Sequence, residues 1–91
     1  MEITRHLIIS GRVQGVGYRY YLMHKAQQFH LTGWVRNRLD GSVEAMLQGT
    51  AENVEAMILR AHRGPPKASV TGIAVSEGAG NYTQFTTLPT E

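Results

Sequence analysis

Between Ser42 and Ala61 the apolar repeat switches from that of a strand to that of a helix, and this switch limits the possible folds more than any other feature. Over Ser42 to Gln48, Val43, Ala45 and Leu47 fall on one side of an alternating pattern, as in a strand with one buried face. Val54, Met57, Ile58 and Ala61 then recur at i, i+3, i+4 and i+7, the stripe of a helix lying on a core. Thr50 stands where an N-cap is needed, Glu52 falls in the first turn where the helix dipole favours an acid, and Gly64-Pro65-Pro66 stops the helix.

The rest of the chain fits around this unit. Thr4 to Gly11 reads as a strand with Leu7 and Ile9 on one face, and Gly11 to Gly17 as a glycine-rich loop. A helix is expected from Tyr18 to Phe29, where Tyr18, Tyr21, Leu22, Ala26 and Phe29 share an arc that Lys25 interrupts. Thr32 to Asn37 is a further strand, joined to the Ser42–Gln48 strand by a turn containing Asp40-Gly41, a hairpin signal. Ala68 to Val75 is the next strand. Its apolar phase slips between Val70 and Ile73, so a bulge is expected at Gly72. Gly78 to Asn81 forms a turn, and Phe85 to Leu88 a short last strand. The order β-α-β-β-α-β predicts an α+β, ferredoxin-like sandwich: an antiparallel sheet with two helices on one face, residues 1–91 as a single domain.

The chain has no cysteine, and its four histidines are scattered, so disulfides and a zinc site are not expected, and no cofactor is called for. The N-terminus carries neither a secretory signal nor a membrane span, which makes a cytoplasmic monomer the expectation. The formal net charge of +2 suits nucleic acid and a small anion equally well.

The chemistry is concentrated in Gly11-Arg12-Val13-Gln14-Gly15-Val16-Gly17-Tyr18-Arg19, between a strand and a helix. Glycines there permit positive φ, and successive amides at a helix N-terminus make an anion pocket. Arg19 could add a two-pronged grip on phosphate oxygens. The stretch is not a P-loop, because Gly17 is followed by Tyr18 rather than Lys. Nor is it a dinucleotide fingerprint, because Tyr20 occupies the third small position. On these grounds alone an anion-binding loop and a bare glycine turn stay open, and an Arg at a helix start is more often a solvated charge.

The same nine residues resemble the first signature of the acylphosphatase family, Gly-x-Val-Gln-Gly-Val-x-Phe-Arg. Gly33-Trp34-Val35-Arg36-Asn37, with Gly41-Ser42-Val43 and Gly49, resembles the second, and Gly64 to Val70 a third recurring stretch. The likeness spans essentially the whole chain, with Tyr18 replacing the usual phenylalanine. It implies a ferredoxin-like hydrolase of acyl phosphates, releasing a carboxylate and inorganic phosphate without a metal. It also implies catalytic roles for Arg19 and Asn37, and a substrate cradle at Gly15, Val16, Gly17, Tyr18 and Arg19, with Gln14 shaping the loop.

Two alternatives share the fold. An RNA-recognition module stacks bases on aromatic residues of its central strands, and His6 to Ser10 and Ser42 to Gln48 contain none, so no nucleic acid is expected. An anion-sensing module would bind the same ligand without turnover.

Overall fold

The computed structural model describes all 91 residues. β1 (Glu2–Arg12) leads through the glycine loop into α1 (Tyr18–Gln28). β2 (Thr32–Asn37) and β3 (Val43–Thr50) follow, then α2 (Ala51–Arg63), β4 (Ser69–Glu77) and β5 (Phe85–Thr87). The sheet order is β4-β1-β3-β2-β5, and β4, β1, β3 and β2 are antiparallel neighbours. Leu7, Ile9, Val35, Val43, Ala45 and Leu47 from the sheet meet Leu22 and Ala26 of α1 and Val54, Met57 and Ala61 of α2. These are the alternating and helical positions read from the sequence. Each of the Leu, Ile, Val and Met side chains among them contributes about 1.5–3 kcal/mol on burial.

The fully antiparallel sheet is corrected at one edge. β5 pairs in parallel with β2, Gly33 opposite Phe85 and Val35 opposite Thr87, so the sheet is mixed. The cause is topological. β2 runs in the direction of β1, β4 runs against both, and the chain reverses once before β5. The segment crossing between the two sheet edges is held by Gln48. Its Nε2 donates to the Gly80 carbonyl at 2.7 Å, and its Oε1 accepts the Tyr82 N–H at 3.1 Å. A carboxamide can meet a carbonyl and an amide at once, as a backbone edge would. Gln48 is therefore on the polar side of β3, but buried there.

The bulge lies at the phase slip. Ser10 faces Gly72 and Gly11 faces Val70, leaving Thr71 as the extra residue on β4. α1 stops at Gln28, and Phe29 is its C-cap. His30 then takes a left-handed φ of 56°, while its N–H donates to the Gln27 carbonyl and the Leu31 N–H to the Ala26 carbonyl. This Schellman ending seals the last turn with a histidine in place of the usual glycine. Lys25, which interrupts the apolar arc of α1, holds its ammonium 5.7 Å from the centre of the Tyr21 ring.

On the sheet face away from the helices, the buried carboxylate of Glu44 joins three strands. Oε2 meets His6 Nε2 of β1 at 2.6 Å, and Oε1 meets Arg36 Nε of β2 at 2.8 Å and Arg38 Nη1 at 3.6 Å. Burial alone would raise the pKa of Glu44. The hydrogen bonds from His6 and Arg36, with their charges, outweigh it and hold the carboxyl below the ordinary glutamate range. A carboxylate depressed in the folded state stabilises the protein above its unfolded pKa, and that stability is lost as pH falls through the folded value. Urea midpoints of the wild type are expected to fall steeply below about pH 4.3. In Glu44→Gln the acid limb should be shallower, with stability at pH 7 lower by about 1–3 kcal/mol. A Glu44→Gln profile parallel to the wild type would exclude this carboxylate as the source of the acid limb.

Candidate active site

The loop after β1 is shaped by two left-handed glycines, Gly15 at φ 71° and Gly17 at φ 80°. No atom lies within 4 Å of a Cβ built on either, so backbone conformation rather than space demands glycine there. Gly17 is also the N-cap of α1, and no side chain caps the helix. The first helical hydrogen bond runs from the Tyr21 N–H to the Gly17 carbonyl at 3.0 Å. The amides ahead of it, from Gly15 to Tyr20, donate to no other backbone or side-chain acceptor in the chain. A row of free N–H groups at the positive end of a helix is an arrangement suited to an anion.

Gly15, Gly17, Tyr18, Arg19 and Tyr20 of this stretch, with Val13 and Asn37, line a cavity of about 160 Å³. Arg19 is half-buried, and none of the chain's ion pairs involves it. Asn37 enters from the end of β2. Its Oδ1 is buried and accepts no hydrogen bond from any group in the chain. Lining a cavity, it is set to take a hydrogen bond from whatever enters.

The sequence-predicted residues thus converge, with one difference. Gly15, Gly17, Tyr18, Arg19 and Asn37 share the cavity wall, whereas the Val16 side chain packs against the core. The Tyr18 ring is also buried, and its hydroxyl donates to the Ala61 carbonyl of α2 at 2.7 Å. Burial, with a smaller contribution from Tyr21, pushes that hydroxyl above the ordinary tyrosine range, so it remains a neutral donor. The oxygen that distinguishes Tyr18 from phenylalanine therefore ties α1 to α2. Nowhere do three His, Cys, Asp or Glu side chains cluster as metal ligands.

Residues 5–87 match the sequence model of the acylphosphatase family. The chain belongs to that family. An acylphosphatase of Methylococcus capsulatus is 49% identical over 85 residues, covering 91% of this chain and 92% of that protein. The crystal structure of acylphosphatase from Bacillus subtilis superposes with a TM-score of 0.90 at 34% identity, over 97% of this chain and 99% of that one. An acylphosphatase from Coxiella burnetii gives 0.91 at 33% identity, over 96% and 93%. The ferredoxin-like acylphosphatase fold follows from both sets of likenesses.

Val13 and Tyr20 also line the cavity, although neither was among the expected site residues; Val13 lies inside the first signature and Tyr20 directly follows it. Tyr20 was legible from helical phase: two residues on from buried Tyr18 it is turned about 200° round the axis, and it is 71% exposed. A larger hollow, about 300 Å³, is bordered by Phe29, Ala56, Leu59, Arg60 and Arg63. It contains none of the signature residues and no unpartnered buried polar atom. Arg60 and Arg63 belong to the last turn of α2, where cations complement the helix dipole. No helix is long and apolar enough to cross a membrane.

Proposed function

We propose that the chain hydrolyses the carboxyl–phosphate bond of acyl phosphates, giving a carboxylate and inorganic phosphate, with Arg19 and Asn37 as its catalytic residues. The observation that carries this reading is the meeting, in one cavity, of free amides, an unpaired guanidinium and an orphaned carboxamide oxygen. Family membership supports the bond that is cleaved.

The amides of Gly15, Val16, Gly17, Tyr18 and Arg19 receive the phosphoryl oxygens, and the Arg19 guanidinium neutralises their charge. Asn37 Oδ1 accepts a hydrogen bond from the attacking water and aims its lone pair at phosphorus. Phosphoryl transfer requires chiefly this positioning and charge stabilisation. The leaving carboxylate is a weak base that needs no proton from a general acid. Asn is neutral and cannot take the water's proton, which passes to a phosphoryl oxygen of the substrate. The P–O bond to the carboxylate breaks as the P–O bond to water forms, and the products are the carboxylate and protonated orthophosphate.

Purified protein is expected to hydrolyse benzoyl phosphate, followed by loss of ultraviolet absorbance, with inorganic phosphate as a competitive inhibitor. Phosphate binding without turnover would replace this reading with an anion-sensing module. Turnover by a monomer, checked by light scattering, would support the expectation that one chain suffices.

A further inference from the structure

We propose that Gln14 is a positioning residue that fixes the phosphate-binding loop against Asn37 and so sets the distance between bound phosphoryl group and attacking water. This rests on the assignment of Arg19 and Asn37 made above.

The two halves of the site come from different parts of the chain. The amides and Arg19 belong to the loop and α1, and Asn37 to the end of β2. Neither half places the other. Gln14 directly precedes Gly15, and its Nε2 donates to the carbonyls of Arg38 and Ser42, both at 2.8 Å. Arg38 directly follows Asn37, and Ser42 closes the β2–β3 turn. These are the hydrogen bonds that join the glycine loop to the turn beside Asn37: no backbone bond spans that gap, and no other side chain of residues 13–17 bonds across it.

The bonding of the acceptors separates this role from simple stabilisation. The Arg38 carbonyl already accepts the Gly41 N–H at 3.1 Å, and the Ser42 carbonyl the Arg38 N–H at 2.9 Å. Removing the Gln14 donor leaves both carbonyls partnered within the turn. What is lost is the connection across the site, not the satisfaction of buried groups. The glycines on the far side of Gln14 offer no stiffness of their own, since φ at Gly15 and Gly17 is free to relax. A side chain that donates twice across the gap supplies the missing constraint. A glutamate in its place would turn carboxylate oxygens toward two carbonyl oxygens and push the walls apart.

The test compares Gln14→Leu, Gln14→Lys and Gln14→Glu in the full chain, with benzoyl phosphate as substrate and inorganic phosphate as competitive inhibitor. Gln14→Leu keeps the bulk without the donor, and a shift of reacting groups by about 1 Å lowers a rate by about 100-fold. Its kcat is expected to fall about 30-fold or more, while the phosphate inhibition constant changes by less than about threefold and the melting temperature by a few degrees. Gln14→Lys restores donors of similar reach and should recover kcat to within about fivefold of wild type, whereas Gln14→Glu should be at least as slow as Gln14→Leu. Because Gln14 acts through Asn37, Gln14→Leu should slow Asn37→Ala by less than about twofold. A Gln14→Leu enzyme at wild-type kcat, a Lys variant no faster than the Leu variant, or fully multiplicative losses in the double variant would each overturn the proposal. Should Asn37→Ala itself be fully active, the catalytic assignment fails instead, which is a separate result.

Discussion

Asn37→Ala is expected to lower kcat for acyl phosphate hydrolysis by about 10²–10³-fold while the inhibition constant for inorganic phosphate stays within about twofold. The split follows from where the residue stands. In the proposed assignment phosphate is held by the loop amides and the Arg19 guanidinium, and those groups are untouched by the substitution. Asn37 is assigned only the oxygen that fixes the water, an interaction that matters as the P–O bond forms. The melting temperature adds an independent readout. Most truncations of a half-buried polar residue destabilise a protein. Here the truncation removes no hydrogen bond made within the chain, because Asn37 Oδ1 has no partner there. A melting temperature close to that of the wild type, together with the loss of turnover, is the expected pair of results. If turnover survives, or if phosphate affinity falls in step with it, the water does not depend on Asn37.

Arg19→Ala should fail differently. Its guanidinium is the side-chain cation lining the cavity, and it is engaged in no ion pair within the chain that would hold it elsewhere. A hydrogen bond to a charged group is worth about 1.5–3 kcal/mol, and the planar fork can make two. The expected result is a fall in kcat/KM of about 10³-fold or more, with weaker inhibition by phosphate and little change in stability. Arg19→Lys keeps the charge but not the fork, so it should recover part of the phosphate affinity and less of the rate. Isothermal titration with phosphate beside steady-state kinetics distinguishes the two variants. Unchanged phosphate affinity in Arg19→Ala would move the anion site away from this loop.

Much of this is legible in the sequence. The Gly11–Arg19 stretch joins a clear strand to a helix with glycines at its bend, and local geometry there is a property of the residues themselves. Gly15 and Gly17 adopt the left-handed backbone that glycine alone takes without strain. The Ser42–Leu47 alternation and the Val54–Ala61 stripe became the central strand and the better-defined helix. Two features resisted sequence reading. The parallel pairing of β5 depends on Gln48 catching Gly80 and Tyr82, residues more than thirty positions away, and a polar residue on an alternating strand looks solvated until something crosses over it. Nothing in the sequence marks His30, an exposed histidine, as the residue whose left-handed φ closes α1.

The sequence by itself determined the elements, their buried faces and an anion-competent turn, because each depends on contacts between residues near one another in the chain. Tertiary structure alone decided that Asn37 stands across from Arg19, that its oxygen is buried without a partner, and that Gln14 bridges the space between the loop and the β2–β3 turn. Those facts depend on how β2 is registered on β3 and β3 on β1, which is set by packing of the whole core. No local pattern around Asn37 encodes the distance to a helix that begins at Tyr18, because that distance is a property of the assembled sheet.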